Sequence, residues 1–127
     1  MAGEQNIETA KRAYAAFSAG DGAGAMEALA NDVEWITPGN SAISGTIHGK
    51  QEVGALWAQF ASKSFTTTPQ FWFSDAERVV VLTHVTYGGG EGGEADGCDV
   101  LTFRDGKVVK FQTAGDTALI ERVFGSK

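Results

Sequence analysis

Apolar residues recur along this chain first at helical and then at strand spacing. Ile7, Ala10, Tyr14 and Phe17 lie on one helical stripe that stops at Gly20, and Asp21 is placed to cap a second, shorter helix running through Ala30. Val33-Glu34-Trp35-Ile36-Thr37 has strand composition and is halted by Pro38-Gly39. Residues 39–49 form a Gly/Ser-rich loop with room for at most a short strand, long enough to make a rim. Val53, Leu56, Trp57 and Phe60 then mark one apolar face of a third helix.

Beyond residue 70 the pattern turns to β. Phe71 to Phe73, Val79 to Tyr87, Ala95 to Phe103 and Val108 to Thr113 are runs of β-branched and aromatic residues separated by SDAE, GGGEGGE and RDGK. They read as successive hairpins of one antiparallel sheet. The segment from Asp116 to Phe124 fits either a terminal helix or an extended tail, with Asp116 a helix cap or turn residue. Helices followed by a strand meander predict an α+β domain with helices on one sheet face.

A tight turn at Glu91-Gly92 sets His84 opposite Asp99, Leu82 opposite Leu101 and Val80 opposite Phe103. A type I turn with a bulged glycine at RDGK adds Val109, Phe111 and Thr113 to that face, and Phe71 and Phe73 complete it. An imidazole facing a carboxylate in an apolar wall is a proton-transfer device, because paired they can share a proton that neither ion would hold at low cost alone. The same pair also fits a plain structural hydrogen bond, or a position on the solvent side. The opposite, convex face, with Trp72, Val81, Thr83, Cys98, Val100 and Lys110, is mixed in character and suits cover by a second copy in a homodimer.

Composition narrows the partners. The chain has 127 residues, 43% of them hydrophobic, enough for one buried core, so residues 1–127 are expected to be a single domain. A net charge of −6 and a pI near 4.8 argue against nucleic acid and anionic membranes. No long apolar run or signal-like start is present, so a cytoplasmic protein is expected. Lone Cys98 and two distant histidines provide no metal spacing, and Gly88 to Gly93 lacks the Gly-Lys-Ser/Thr of a phosphate loop, so no metal or cofactor is expected.

The segments KRAYAAFSAGD, DVEWITPG, SGTIHGKQEV and FRDGKVVKF resemble the SnoaL-like (NTF2-like) superfamily of polyketide cyclases, ketosteroid isomerases and limonene epoxide hydrolases, over nearly the whole chain. The resemblance implies a cone-shaped, cystatin-like α+β fold, with a curved antiparallel sheet wrapped around N-terminal helices and an apolar pocket. Ketosteroid isomerase keeps a neutral aspartic acid on a late strand, the place of Asp99. Its general base falls on Thr37, no base near neutral pH, and its oxyanion tyrosine on Ala13, about 100° of helix from Tyr14. The polyketide-cyclase pattern of a late-strand aspartate assisted by a histidine on the preceding strand fits Asp99 and His84. The Asp-Arg-Asp cluster of the epoxide hydrolases has no counterpart on the expected face.

These readings converge on an acid–base enzyme for a small hydrophobic carbonyl compound, an isomerase or cyclase, with Asp99 and His84 catalytic. Tyr14, Trp35, Thr37, Trp57, Phe71 and Leu101 would shape the pocket. The missing base at Thr37 supports the competing expectation, a non-catalytic ligand-binding or protein-association module.

Overall fold

A computed structural model describes residues 2–127. The first helix, α1 (Ala2–Ser18), buries Asn6, Ala10 and Tyr14 along its apolar stripe. Asp21 caps α2 (Gly22–Met26) by accepting from the Gly24 amide. This helix is shorter than expected, because β1 begins at Leu29 and runs to Thr37. The rim loop leads into β2 (Gly45–His48) and α3 (Gly49–Ser62), whose first turn is closed by the Glu52 carboxylate accepting from the His48 amide. Then follow β3 (Thr66–Ser74), β4 (Arg78–Tyr87), β5 (Gly93–Arg104) and β6 (Lys107–Ala114). The terminal segment is the helix α4 (Thr117–Phe124), capped by Asp116 on the Leu119 amide at 2.9 Å.

Among the described residues six strands form one sheet in the order β2-β1-β6-β5-β4-β3. The hairpins pair antiparallel as expected, while β1 returns to lie parallel to β6. Pro69 is tolerated because β3 is an edge strand. Register shifts between Pro69 and Phe71 and between Thr102 and Phe103 bend the sheet, leaving a concave face for α1 and α3. The core fills that concavity with Ala10, Val33, Val53, Val79, Val81 and Val108, among others. No helix among the described residues is long and apolar enough to cross a membrane.

The register of β4 on β5 is not the expected one. Asp99 faces Val81, and His84 faces Asp96. The glycine-rich connection turns as a longer loop, Gly88 to Gly92, between the paired residues Tyr87 and Gly93. It is tied to the end of α3 where the Gly88 amide donates to the carbonyls of Lys63 and Ser64. Sliding by three positions is an odd shift, and an odd shift exchanges the faces of a strand. Val79, Val81, Thr83 and Tyr87 therefore turn inward, while Val80, Leu82 and His84 turn to the convex side.

Two bulges change parity again. Thr67 and Trp72 both face the helices, which is possible only because a residue is inserted between Pro69 and Phe71. Phe71 and Phe73 consequently lie on the convex face, 60% and 56% exposed, beside Leu82. At RDGK both Asp105 (φ 52°) and Gly106 (φ 79°) are left-handed, so the turn is of the I′ kind and not the expected type I. The bulge follows it in β6, where Val108, not Val109, joins Phe111 on the buried face.

Candidate functional site

Three hydroxyl- and carboxyl-bearing side chains meet on the concave face. The helical stripe that buries Ala10 carries Tyr14 toward the sheet, where its hydroxyl lies 2.5 Å from Asp99 Oδ2. Thr113, across the β5–β6 ladder from Asp99, donates to Oδ1 at 2.8 Å. Both carboxyl oxygens are thus held by neutral hydroxyls. Asp99 is 7% exposed and Tyr14 8%.

Burial governs the titration of both groups. Desolvation raises the Asp99 carboxyl above its ordinary value, against the opposing pull of the two hydroxyl donors. Desolvation first, and then the neighbouring Asp99, push the Tyr14 phenol well above its usual range. Tyr14 therefore stays a phenol throughout the physiological range, and Asp99 holds a proton more tightly than an exposed aspartate.

The group borders a cavity of about 130 Å3, counted as space open to the centres of water-sized molecules. Its walls are mainly apolar, with a cluster of aromatic rings. Trp35 and Phe111 stack at 3.8 Å between centroids, and Trp57 sets an edge against both Trp35 and Phe17. Tyr87, whose phenol burial raises to about 12, and Leu119 close another side. The Trp57 indole N–H is a buried donor without a partner among the described residues.

Three cavity-lining residues that are also exposed, Ala114, Gly115 and Asp116, cluster where the β5–β6 ladder ends and α4 begins, which locates the mouth; neighbouring Asp96 turns its carboxylate to His84 on the convex face. Gly97 keeps this passage narrow but open. A Cβ there would stand 3.1 Å from the Ala114 carbonyl oxygen and 3.4 Å from the Thr83 hydroxyl.

Of the residues singled out in the sequence, Asp99, Tyr14, Trp35, Thr37, Trp57 and Leu101 line this cavity. His84 does not. Its Nδ1 lies 2.8 Å from Asp96 Oδ1 and its Nε2 3.6 Å from Glu94 on the convex face, so the expected His84–Asp99 pair is not formed. Phe71 is likewise on the far face, exposed. The place opposite Asp99 belongs instead to the Tyr14 hydroxyl, so the one-residue offset from Ala13 does not keep this tyrosine from the carboxyl. Thr113 was expected on the face but not as a partner of Asp99; its signal was its position facing Asp99 across the next hairpin, legible only once the RDGK register is known.

A model of the SnoaL-like domain matches residues 10–111. Among solved structures, Bal32a from a soil-derived mobile gene cassette is 26% identical, covering 98% of this chain and 99% of its own, with a TM-score of 0.91. An NTF2-like protein of unknown function from Burkholderia pseudomallei is 29% identical over 96% of this chain and 98% of its own, at 0.84. TerC, co-crystallised with polyporic acid, is 25% identical over 96% and 99%, also at 0.84. Comparison with curated proteins returned no match.

Proposed function

Because the chain belongs to the SnoaL-like domain family, whose fold carries many chemistries, we propose from its own site that it is a small enzyme performing acid–base chemistry on a hydrophobic carbonyl compound. The observation that carries this reading is the buried Tyr14–Asp99–Thr113 hydrogen-bonded group set in the wall of an aromatic cavity. The co-crystallisation of TerC with polyporic acid supports a small organic ligand in this fold.

The geometry suits one carboxyl serving as both base and acid. In the ionised state Asp99 accepts from Tyr14 and Thr113, and burial makes it a stronger base than an exposed carboxylate. A substrate held with its α-carbon against Asp99 gives up a proton. The C–H bond breaks, an O–H bond forms on the carboxyl, and the electron pair moves to the carbonyl oxygen as an enolate. Once protonated, Asp99 needs the Tyr14 hydroxyl less, so Tyr14 is freed to donate to the enolate oxygen. Returning the proton to another carbon isomerises the substrate; attack of the enolate carbon on a second carbonyl closes a ring, and the proton held by Asp99 passes to the alkoxide formed there, restoring the carboxylate. Thr113 fixes Oδ1 and so directs the exchangeable proton to Oδ2, beside Tyr14.

The competing reading is a binding module. Thr37, buried at the end of β1 where a second carboxylate would complete an isomerase-like site, is the observation in its favour. A thermal-shift and mass-spectrometric screen of hydrophobic ketones, steroids, aromatic polyketide-like compounds and epoxides, repeated with Asp99→Asn, separates the two. Conversion that requires Asp99 is expected. Stabilisation by a ligand that is never converted would favour the module.

A further inference from the structure

One inward position of β4 departs from its neighbours. Val79, Val81, Thr83 and Val85 follow one another on the concave face, so a hydroxyl stands where a valine would fill the same shape. Expected on the convex face, Thr83 is brought inside by the three-position slide of β4, where it is 2% exposed and lines the cavity. Its hydroxyl makes no hydrogen bond to any described residue, yet the one side-chain polar atom there that is both unpartnered and sealed off is Trp57 Nε1. The Thr83 hydroxyl therefore keeps some open surface, and in a residue this buried that surface belongs to the cavity.

Gly97 leaves the hydroxyl uncovered. It pairs with Thr83 across the β4–β5 ladder, and a Cβ built on it would lie 3.4 Å from the Thr83 hydroxyl oxygen. The hydroxyl thus borders the passage that Gly97 keeps open. Burying a hydroxyl unmet is costly, and a valine at this position would carry no such penalty.

We infer that Thr83 is a ligand-binding residue, and that the substrate carries a second oxygen, of a hydroxyl or a carbonyl, on the mouth side of the carbonyl held at Tyr14 and Asp99. Asp99 faces Val81, and Thr83 is the next inward position of that strand toward the mouth, roughly 7 Å along it. The second oxygen therefore lies a few bonds from the reacting carbon, as in a hydroxylated aryl ketone or a diketone. A threonine hydroxyl both donates and accepts, so it meets either form. Thr83 holds and orients the substrate while the proton transfer stays with Asp99. This rests on the reading of the cavity as the substrate site.

Two pairs of probes isolate that oxygen: meta-hydroxyacetophenone against meta-methylacetophenone, and the para-hydroxy compound against the para-methyl one. Each pair keeps the ketone, the ring and the size. Affinities are measured by titration calorimetry in mild acid, where the phenols are neutral, with the native chain, Thr83→Val and Thr83→Ser. The native chain should favour the hydroxyl compound of at least one pair. In Thr83→Val the ratio of affinities should move about tenfold toward the methyl compound, the equivalent of one hydrogen bond between neutral groups, and Thr83→Ser should restore it. Without ligand, Thr83→Val should melt at the native temperature or above, because it keeps the shape and removes an unmet hydroxyl.

A native preference for the methyl compound in both pairs, or a ratio that Thr83→Val leaves unchanged, overturns the inference. So does a clear fall in the ligand-free thermal midpoint of Thr83→Val, which would show the hydroxyl to serve the fold. If neither pair binds, the reading of the cavity as the substrate site falls and the inference falls with it. Every readout is binding or melting, so an absence of turnover would count against the proposed enzyme and leave the role of Thr83 standing.

Discussion

Replacing Tyr14 by Phe removes one oxygen atom and little volume, and leaves the edge contact of the ring with Trp72 at 5.4 Å in place. What is lost is the 2.5 Å hydrogen bond to Asp99, whose Oδ2 is then buried without a partner among the described residues. A hydrogen bond between neutral groups contributes about 1 kcal/mol, and one to a charged group about 1.5–3 kcal/mol. The cost of Tyr14→Phe therefore depends on the protonation of Asp99. It is near the lower figure where Asp99 is protonated and near the higher one where it is ionised.

In a chain of this length each kcal/mol moves the thermal midpoint by about 3–4 °C. Calorimetry should show a loss of about 3–4 °C at pH values where Asp99 is protonated, growing to about 5–10 °C where it is ionised. The same substitution removes a bond that favours the carboxylate, so Asp99 should titrate higher still in the variant. A destabilisation that is constant with pH, or largest in acid, would refute the claim that Tyr14 donates to an Asp99 able to ionise.

Other outcomes follow from the same contacts. Because the folded-state Asp99 holds its proton more tightly than in the unfolded chain, its stabilising contribution is fully present below about pH 4 and is lost as pH rises through the folded value. The stability of the native chain relative to Asp99→Asn, followed by denaturant titration, should fall as pH increases above that range; a rising or flat difference would contradict it. His84→Ala should leave turnover unchanged and cost under about 1 kcal/mol, since it removes only an exposed pair with Asp96. Kinetics in which it abolishes turnover would return His84 to the chemistry. Thr113→Val should lower turnover and shift its pH profile upward, with Thr113→Ser restoring both; a variant whose profile does not move would show Thr113 to be merely a packing residue.

Much of the fold was legible because its elements announce themselves locally. The α1 stripe ends at a glycine, the α3 face repeats at helical spacing, and each strand of the meander is bounded by polar or glycine-rich turns. Asp99 and Tyr14 were both visible as polar groups on otherwise apolar faces. What the chain does not spell out is register. The glycine-rich loop between β4 and β5 could close at any of several positions, and the choice is made by hydrogen bonds from Gly88 to the end of α3, a contact distant in sequence. That single choice moved His84 to the convex face and brought Val81 opposite Asp99.

The same blindness applies to bulges. Strict alternation from Val79 works because β4 pairs regularly, but alternation through Pro69 or across the RDGK hairpin fails, since an inserted residue exchanges inside for outside. Phe71 was lost from the cavity, and Trp72 and Val108 gained for the core, for this reason. The partnership of Tyr14 with Asp99 was hidden differently. It joins residues 85 positions apart, and helix phase alone separates Tyr14 from the place its role would demand by one residue. The tyrosine side chain is long enough to span that offset.

The claim that matters most is that Asp99 moves a proton at carbon beside a carbonyl within this cavity. Its most direct test is solvent exchange: a hydrophobic ketone that binds the protein is incubated in deuterated buffer, and deuterium entering the α-carbon is followed by NMR with the native chain and with Asp99→Asn. Enzyme-dependent exchange is expected, lost with Asp99→Asn and weakened with Tyr14→Phe. Exchange that proceeds equally with Asp99→Asn would contradict it.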